Sequence, residues 1–456
     1  MPVSTLSSLE LLTCCLVQAC SDAIYLALRS PRAPPLAALD IMQGRVAPPW
    51  WDERSASAGA SGSTPLVAHV DLDCPYLRAV VLEALARRAA WRVIAPPASE
   101  DAEACSCPAA AVFSWSEYER LDWSRVLAGD LHASAYCIRK GLIRKSQFAY
   151  HVKKWAAKHP GSVLAKGVPE TLLFEMWDAD YLDEALADVY EVRDMKTDGS
   201  EWWILKPSMT NQARGILVFN QLESLKEALR ADGADEVREW VLQRYINSPL
   251  LVGGHKFHLR MYALAVGALN VHVYADVLTL FSLERYTDDP SQLAAHLTNT
   301  CCQAPSGPEQ HAAAVGLLAD LPARIAAEGT LSLAEASARC DRVLQDSAAL
   351  VGEAFAAVSA ELAFMPLPNA FELFGMDLLV DSDWHVWLLE ANAEPDFVQT
   401  GQALRSVIEG VVEGALSLSL DQMFPTGRES ACAGSRYLKV FEREDPRATG
   451  CGMTFS

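Results

Sequence analysis

Trp202-Trp203-Ile204-Leu205-Lys206-Pro207 and Trp387-Leu388-Leu389-Glu390-Ala391-Asn392 are two short apolar runs that each deliver polar groups at one end. Their length and aromatic content read as buried strands. Lys206 ends the first, followed by Pro207 and the small-polar stretch Ser208 to Gly215. A lysine in that position can hold a phosphate as a point charge, or simply snorkel to solvent from a strand end. On the second run Glu390 and Asn392 are two residues apart, so an extended backbone turns both to one side.

A hairpin brings in a third group. Phe371 to Val380 and Trp384 to Leu389 read as strands facing each other across Asp381-Ser382-Asp383, an antiparallel pair that returns Asp377 to the neighbourhood of Glu390 and Asn392. Two carboxylates and an amide oxygen are hard donors suited to Mg²⁺, with room left for water and phosphate oxygens. The competing reading is two solvated acids at strand ends. Neither GxxxxGK[ST] nor GxGxxG occurs, so neither a P-loop NTPase nor a Rossmann dinucleotide fold is supported.

At 456 residues the chain exceeds one ordinary core, and two or three packed subdomains are expected. Residues 1–64 read as an amphipathic helix (Leu9, Leu12, Leu16, Ala19, Ala23) and a flexible Ser/Ala/Gly stretch. Residues 65–145 read as a small α/β subdomain opening on a β-α-β pattern: strand Leu66 to Val70, helix Tyr76 to Ala89, strand Trp91 to Ile94. A central subdomain over 146–245 and a C-terminal one over 246–425 follow, the latter with a helical insertion at 303–365. The polar tail is 426–456.

The formal net charge of −20 repels nucleic acid and anionic membrane. It also disfavours an acidic protein substrate, unless basic residues gather into one patch. Arg139 to Lys145 is a basic cluster in this acidic chain, without stacking aromatics beside it. Twelve cysteines are scattered without paired CxxC motifs and read as small buried hydrophobes in a reducing compartment. The N-terminal apolar stretch is broken by Glu10, Gln18 and Asp22, so neither a signal peptide nor a membrane span is expected, and a soluble cytoplasmic protein is. His151 and His159 read as ordinary histidines rather than metal ligands.

Several motifs recur in one order: Trp203-Ile204-Leu205-Lys206-Pro207, Gln243-Arg244-Tyr245-Ile246, Pro249-Leu250-Leu251 and Lys256-Phe257-His258-Leu259-Arg260. Then come His296-Leu297-Thr298-Asn299, Phe371 to Asp377, and Trp387 to Asn392. Together, over roughly residues 135–425, they resemble the tubulin–tyrosine ligase family, and its fungal-type branch in particular. The resemblance implies an α/β (α+β) chain of ATP-grasp fold. It also implies an ATP-dependent ligase that activates a carboxylate as an acyl phosphate for attack by an amine. Its partners would be a free amino acid and a protein acceptor, tubulin. By position, Lys145 and Lys206 would contact ATP phosphates, with Arg214 in the covering loop and Lys256 close to the nucleotide. Gln243, Arg244, Tyr245 and Ile246 would form the adenine-side hinge, with Thr298 and Asn299 also in the ATP site. Asp377, Glu390 and Asn392 would coordinate Mg²⁺, and Arg260 would stabilise the acyl phosphate.

Three positions depart from that pattern. The phosphate loop of relatives carries Arg-Gly-x-Gly-Ile where this chain has Gln212-Ala213-Arg214-Gly215-Ile216. Lys-Phe-Asp-x-Arg appears as Lys256-Phe257-His258-Leu259-Arg260, and the strand expected to end in an acceptor-binding arginine reads Val277-Leu278-Thr279-Leu280. These leave a second reading beside the ligase. In it the chain is an ATP-binding interaction module without ligation, in the manner of fungal-type relatives associated with mRNA-processing granules.

Overall fold

The structure, a computed structural model, describes residues 65–96, 107–208, 215–231, 237–299, 303, 314–401, 404–425 and 436–443. The expected N-terminal helix and flexible stretch, the loop residues Gln212, Ala213 and Arg214, and most of the tail lie outside them.

Three sheets organise the chain. The first is parallel, in the order β2-β1-β3-β4, from β1 (Leu66–Asp71), β2 (Trp91–Ile94), β3 (Phe113–Ser116) and β4 (His132–Ala133). Helix α1 (Pro75–Ala86) makes the β1–β2 crossover, with Pro75 in its first turn where a missing N–H costs nothing. The expected β-α-β unit is present. β3 and β4 were not expected, because Phe113-Ser114-Trp115-Ser116 is short and buried on both faces, which hides its alternation.

The second sheet is antiparallel, order β5-β8-β6-β7, from β5 (Thr171–Glu175), β6 (Trp203–Pro207), β7 (Leu217–Phe219) and β8 (Glu239–Arg244). The lysine-bearing run is β6, buried along its whole length.

The third sheet holds β9 (Leu251–Val252), β10 (His255–Val266), β11 (Asn270–Tyr274), β12 (Leu278–Phe281), β13 (Val315–Leu317), β14 (Phe371–Val380), β15 (Val386–Ala393) and β16 (Tyr437–Glu442). The twelve-residue β10 is its axis. One edge pairs with β14 from Leu259 to Val266; the other takes β12 at Phe257 to Arg260 and β11 at Ala263 to Val266. Strand alternation sends Phe257, Leu259, Met261 and Ala263 into one core, shared with helices α2 (Lys145–Lys158) and α3 (Leu333–Ser359). Lys256, His258 and Arg260 face the other way. Farther along that same face, Tyr262 and Leu264 join a second core with the first sheet and helix α4 (Arg405–Leu418).

Two expectations need correction. The stretch 303–365 is not wholly helical: α3, capped by a reciprocal Ser332–Glu335 box, is its main helix, but β13 adds a strand to the edge of β12. The tail contains β16, paired with β11. Both strands are short and take their conformation from an edge that sequence cannot see.

Candidate active site

The hairpin expected from sequence forms, with Asp377 directly opposite Glu390 and Gly375 opposite Asn392. Beyond Asp377 the register shifts so that Leu378 faces Leu388, leaving Leu389 as an extra residue, a β-bulge. Leu388 and Ala391 point into the core, while Leu389 and Glu390 both border a cleft. The bulge therefore re-aims the carboxylate.

That cleft lies between the second sheet and the β10–β14–β15 face. Lys206, Gln243, Arg244, Tyr245, Ile246, Lys256, Thr298, Asn299, Asp377 and Glu390 all line it. Ile204, Ile216, Leu379 and Leu389 supply apolar wall. Lys145 reaches the cluster from the start of α2, its Nζ 3.5 Å from Glu390 Oε2. Arg260 donates to Asp377 through Nε (2.5 Å) and Nη2 (3.1 Å), and Asn392 Nδ2 donates to Asp377 Oδ2 at 3.1 Å. The basic run Arg139 to Lys145 does not form a surface patch. Lys145 turns to the cleft, whereas Arg139 is buried against Glu372.

Electrostatics follow from burial and these partners. Burial alone would raise the Glu390 carboxyl, but Lys145, Lys206 and Arg260 together hold it well below the usual range. Burial lowers the Lys206 ammonium, whose Nζ donates to Gln243 Oε1 at 2.9 Å. It brings Lys256 down to about 7, with Lys206 adding repulsion. Lys256 Nζ donates to the Tyr245 hydroxyl (2.8 Å) and the His296 carbonyl (2.9 Å). Tyr245 in turn stacks on Trp202 and meets His296 Nδ1 at 2.8 Å, so the hinge-side wall is one aromatic unit. His296 was quoted in a motif but given no role; its ring contacts are what tie that motif to the hinge.

His258 Nδ1 lies 2.6 Å from Thr298 Oγ1, and burial lowers the ring to about 4, so it is neutral near pH 7. Its Nε2 is buried without a partner, 3.8 Å from Asp377 Oδ1. An unpaired buried nitrogen costs about 1–3 kcal/mol. Thr279, singled out as an altered acceptor position, turns into the core with its hydroxyl unpartnered. On that strand Leu278, opposite Arg260, and Leu280, opposite His258, are buried in the core.

A second cavity of about 970 Å³, missed from sequence, opens where the first sheet's strand ends meet β14 and the end of β15. Asp73, Glu117, Glu372, Glu394 and Asp396 line it against Arg139. Arg139 is paired with Glu372 and donates to Glu394 at 2.9 Å. Burial, with Glu394 and Asp73 nearby, pushes the Glu117 carboxyl above its usual range. The sequence signal was the flanking of the hairpin by Glu372 and Glu394.

Comparison with known proteins bears on this arrangement. The description "Tubulin-tyrosine ligase family" matches residues 135–431. The chain belongs to the tubulin-tyrosine ligase family. Within it, the chain is 33% identical over 352 residues to the probable tubulin–tyrosine ligase C12B10.04 of Schizosaccharomyces pombe, a match covering 68% of this chain and 83% of that protein. It is 31% identical to the probable tubulin–tyrosine ligase PBY1 of Saccharomyces cerevisiae, over 70% of this chain and 47% of that longer protein. A probable alpha-tubulin polyglutamylase of Tetrahymena thermophila matches at 29% over 44% of this chain and 49% of its own length. Among solved structures, the C-terminal domain of K. lactis Pby1, an ATP-grasp enzyme interacting with the mRNA decapping enzyme Dcp2, superposes with a TM-score of 0.61 at 28% identity. That superposition covers 83% of this chain and all of that one. The fold is thus ATP-grasp, and the chain is an ATP-grasp ligase of this family. Among the described residues no helix is long and apolar enough to cross a membrane.

Proposed function

We propose that this chain uses ATP and Mg²⁺ to join an amino acid to a carboxylate of a protein acceptor, through an acyl phosphate. The observation that carries this reading is the gathering of Lys145, Lys206 and Arg260 around the Glu390 carboxylate, which borders the cleft. Phosphoryl transfer needs little beyond positioning and neutralisation of spread charge, which such a cluster supplies. The acceptor carboxylate oxygen would attack the γ-phosphorus as the bridging P–O bond breaks and ADP leaves. The incoming amine would then attack the carbonyl and release phosphate. Lys145 and Lys206 would hold the phosphates, Arg214 the loop above them, and Tyr245 with Gln243, Arg244 and Ile246 the adenine side. Thr298 and Asn299 would border the nucleotide. Arg260, fixed by Asp377, would face the acyl phosphate.

Asp377, Glu390 and Asn392 fit a hard cation. Arg260 and Asn392 use part of the lone-pair capacity of Asp377, and a carboxylate has about four such sites. These three residues would hold the ion, which would supply positive charge to offset that of the phosphates.

The relatives' names point to tubulin or protein acceptors, and we extend that to this chain as the acceptor class. A cytoplasmic setting fits that acceptor. ATP-dependent incorporation of labelled tyrosine, glutamate and glycine into detyrosinated tubulin, beside a Glu390→Gln control, tests it. Incorporation that disappears in the control supports the ligase; none in either, with intact ATP binding, overturns it.

A second reading is favoured by His258, which lines the cleft as a neutral ring. In it the chain binds ATP and serves as a docking module in mRNA-processing assemblies. Magnesium-dependent ATP binding without turnover on any acceptor would select it.

A further inference from the structure

We propose, on the ligase reading above, that the second cavity holds the free amino acid as its zwitterion. The class it takes is neutral, with an apolar or aromatic side chain, and glutamate is rejected.

The cavity opens beyond the carboxyl ends of β1 and β3, the place where open α/β sheets bind ligands. Its carboxylates are only partly matched. Arg139 engages Glu372 and Glu394, and Arg120 holds Asp73 at 2.6 Å. Among the described residues Glu117 and Asp396 form no ion pair. Each accepts a backbone N–H alone, from Asp73 (2.8 Å) and from Val398 (2.9 Å). Burial, with Glu394 close by, raises the Glu117 carboxyl, as expected of an acid that lacks its cation. An ammonium group set between these acids supplies that cation.

A carboxylate has a separate place. Trp115 is 6% exposed and lines the cavity, yet its indole N–H donates to nothing among the described residues. A buried donor left in that state calls for an acceptor. The N-terminus of α1, capped by Cys74, adds the positive end of a helix to the same space. Leu72, Leu77, Phe371, Leu373 and Phe397 complete the walls, apolar surface suited to a hydrocarbon or aromatic side chain. A second carboxylate, on a glutamate side chain, would meet the surplus of acids and be repelled.

The cavity also adjoins the residue assigned to the acyl phosphate. A side chain at Gly375 would strike Pro395 Cβ at 2.9 Å and Arg260 Cδ at 3.1 Å. Pro395 lines the cavity, so a bare glycine lets the cavity wall and Arg260 meet. An amine held here is next to the place where the ligase reading needs it.

The test is calorimetric titration of the full chain, with and without ATP, by free leucine, phenylalanine, tyrosine and glutamate. The N-acetyl and amide forms of the tightest binder are titrated beside them. A neutral apolar or aromatic amino acid is expected to bind, and blocking either of its charged ends to weaken it roughly tenfold. Glutamate should bind at least as poorly. Glu117→Gln and Asp396→Asn should each weaken binding roughly tenfold and Trp115→Phe about fivefold, with ATP affinity kept within about twofold. In the incorporation assay the same variants should raise KM for the amino acid more than they lower kcat. Thermal unfolding checks that each variant is folded. Absence of binding by all four amino acids overturns the inference, as does glutamate as the tightest binder. Unchanged affinity in folded Glu117→Gln and Asp396→Asn overturns it too. Incorporation with an unchanged KM in those variants removes the site and leaves the ligase reading standing. Binding that the variants weaken, with no incorporation into any acceptor, upholds the site and overturns the ligase reading.

Discussion

Lys206, Arg244 and Lys256 line the nucleotide cleft beside Asp377 and Glu390, whereas the second cavity sets Asp73, Glu117, Glu372, Glu394 and Asp396 against a single arginine. The two spaces share β14 and the end of β15, yet their charge is reversed. In the cleft, Arg244 pairs outward with Glu170 and Glu201, which leaves Lys206 and Lys256 beside Asp377 and Glu390. In the second cavity the acids outnumber Arg139, and burial lifts Glu117 above its usual range. The difference teaches that the −20 net charge is not spread evenly. A chain this acidic can still gather cations at one place.

The comparison breaks first at the arginines. Arg139→Ala leaves the buried Glu372 carboxylate without its cation and is expected to cost about 3–5 kcal/mol in urea unfolding. ATP affinity of the folded fraction should stay within about twofold, because the proposed nucleotide site is the other space; a large loss there would show the cavities to be one system. Next, Glu390→Gln should lower ATP-dependent turnover on the order of 10²–10³-fold while nucleotide binding persists, as measured by calorimetry beside a phosphate-release assay.

A smaller effect comes from pH. Lys256 titrates at about 7 in the free protein, so it carries its charge below that value and loses it above. If phosphate binding restores the charge, ATP affinity falls roughly fivefold from pH 7 to pH 8, with proton uptake on binding. Calorimetry in two buffers of different ionisation enthalpy measures that uptake, and Lys256→Met should abolish it. Smallest of all, Glu117→Gln should change ATP affinity less than about twofold at physiological salt, given screening over about 8 Å. A tenfold gain would mean that the acidic cavity opposes nucleotide binding directly.

Much of the cleft was legible in the sequence because its groups ride on strands, where a spacing of two fixes a shared side. Glu390 with Asn392, and Lys206 closing β6, are read that way, and the hairpin brings Asp377 opposite Glu390. What was not legible depends on partners far along the chain. The bulge at Leu389 is set by pairing with β14, and the His258–Thr298 contact joins residues forty apart. Thr279 reads as a departure, but pairing opposite Leu259 on β10 turns it into the core. β13 and β16 carry too few residues to show a period, and each forms by adding to an edge.

The continuity of β10 has a further consequence. Lys256, His258, Arg260, Tyr262 and Leu264 occupy alternate positions of one unbroken strand, each about 6.7 Å from the next. The strand thus acts as a ruler laid from the nucleotide cleft to the core beneath the first sheet. Gaining or losing one residue would turn every tooth of that ruler to the opposite side. A variant of this chain can therefore exchange the teeth one at a time but cannot lengthen the ruler, so new specificity has to arise by replacement at fixed intervals.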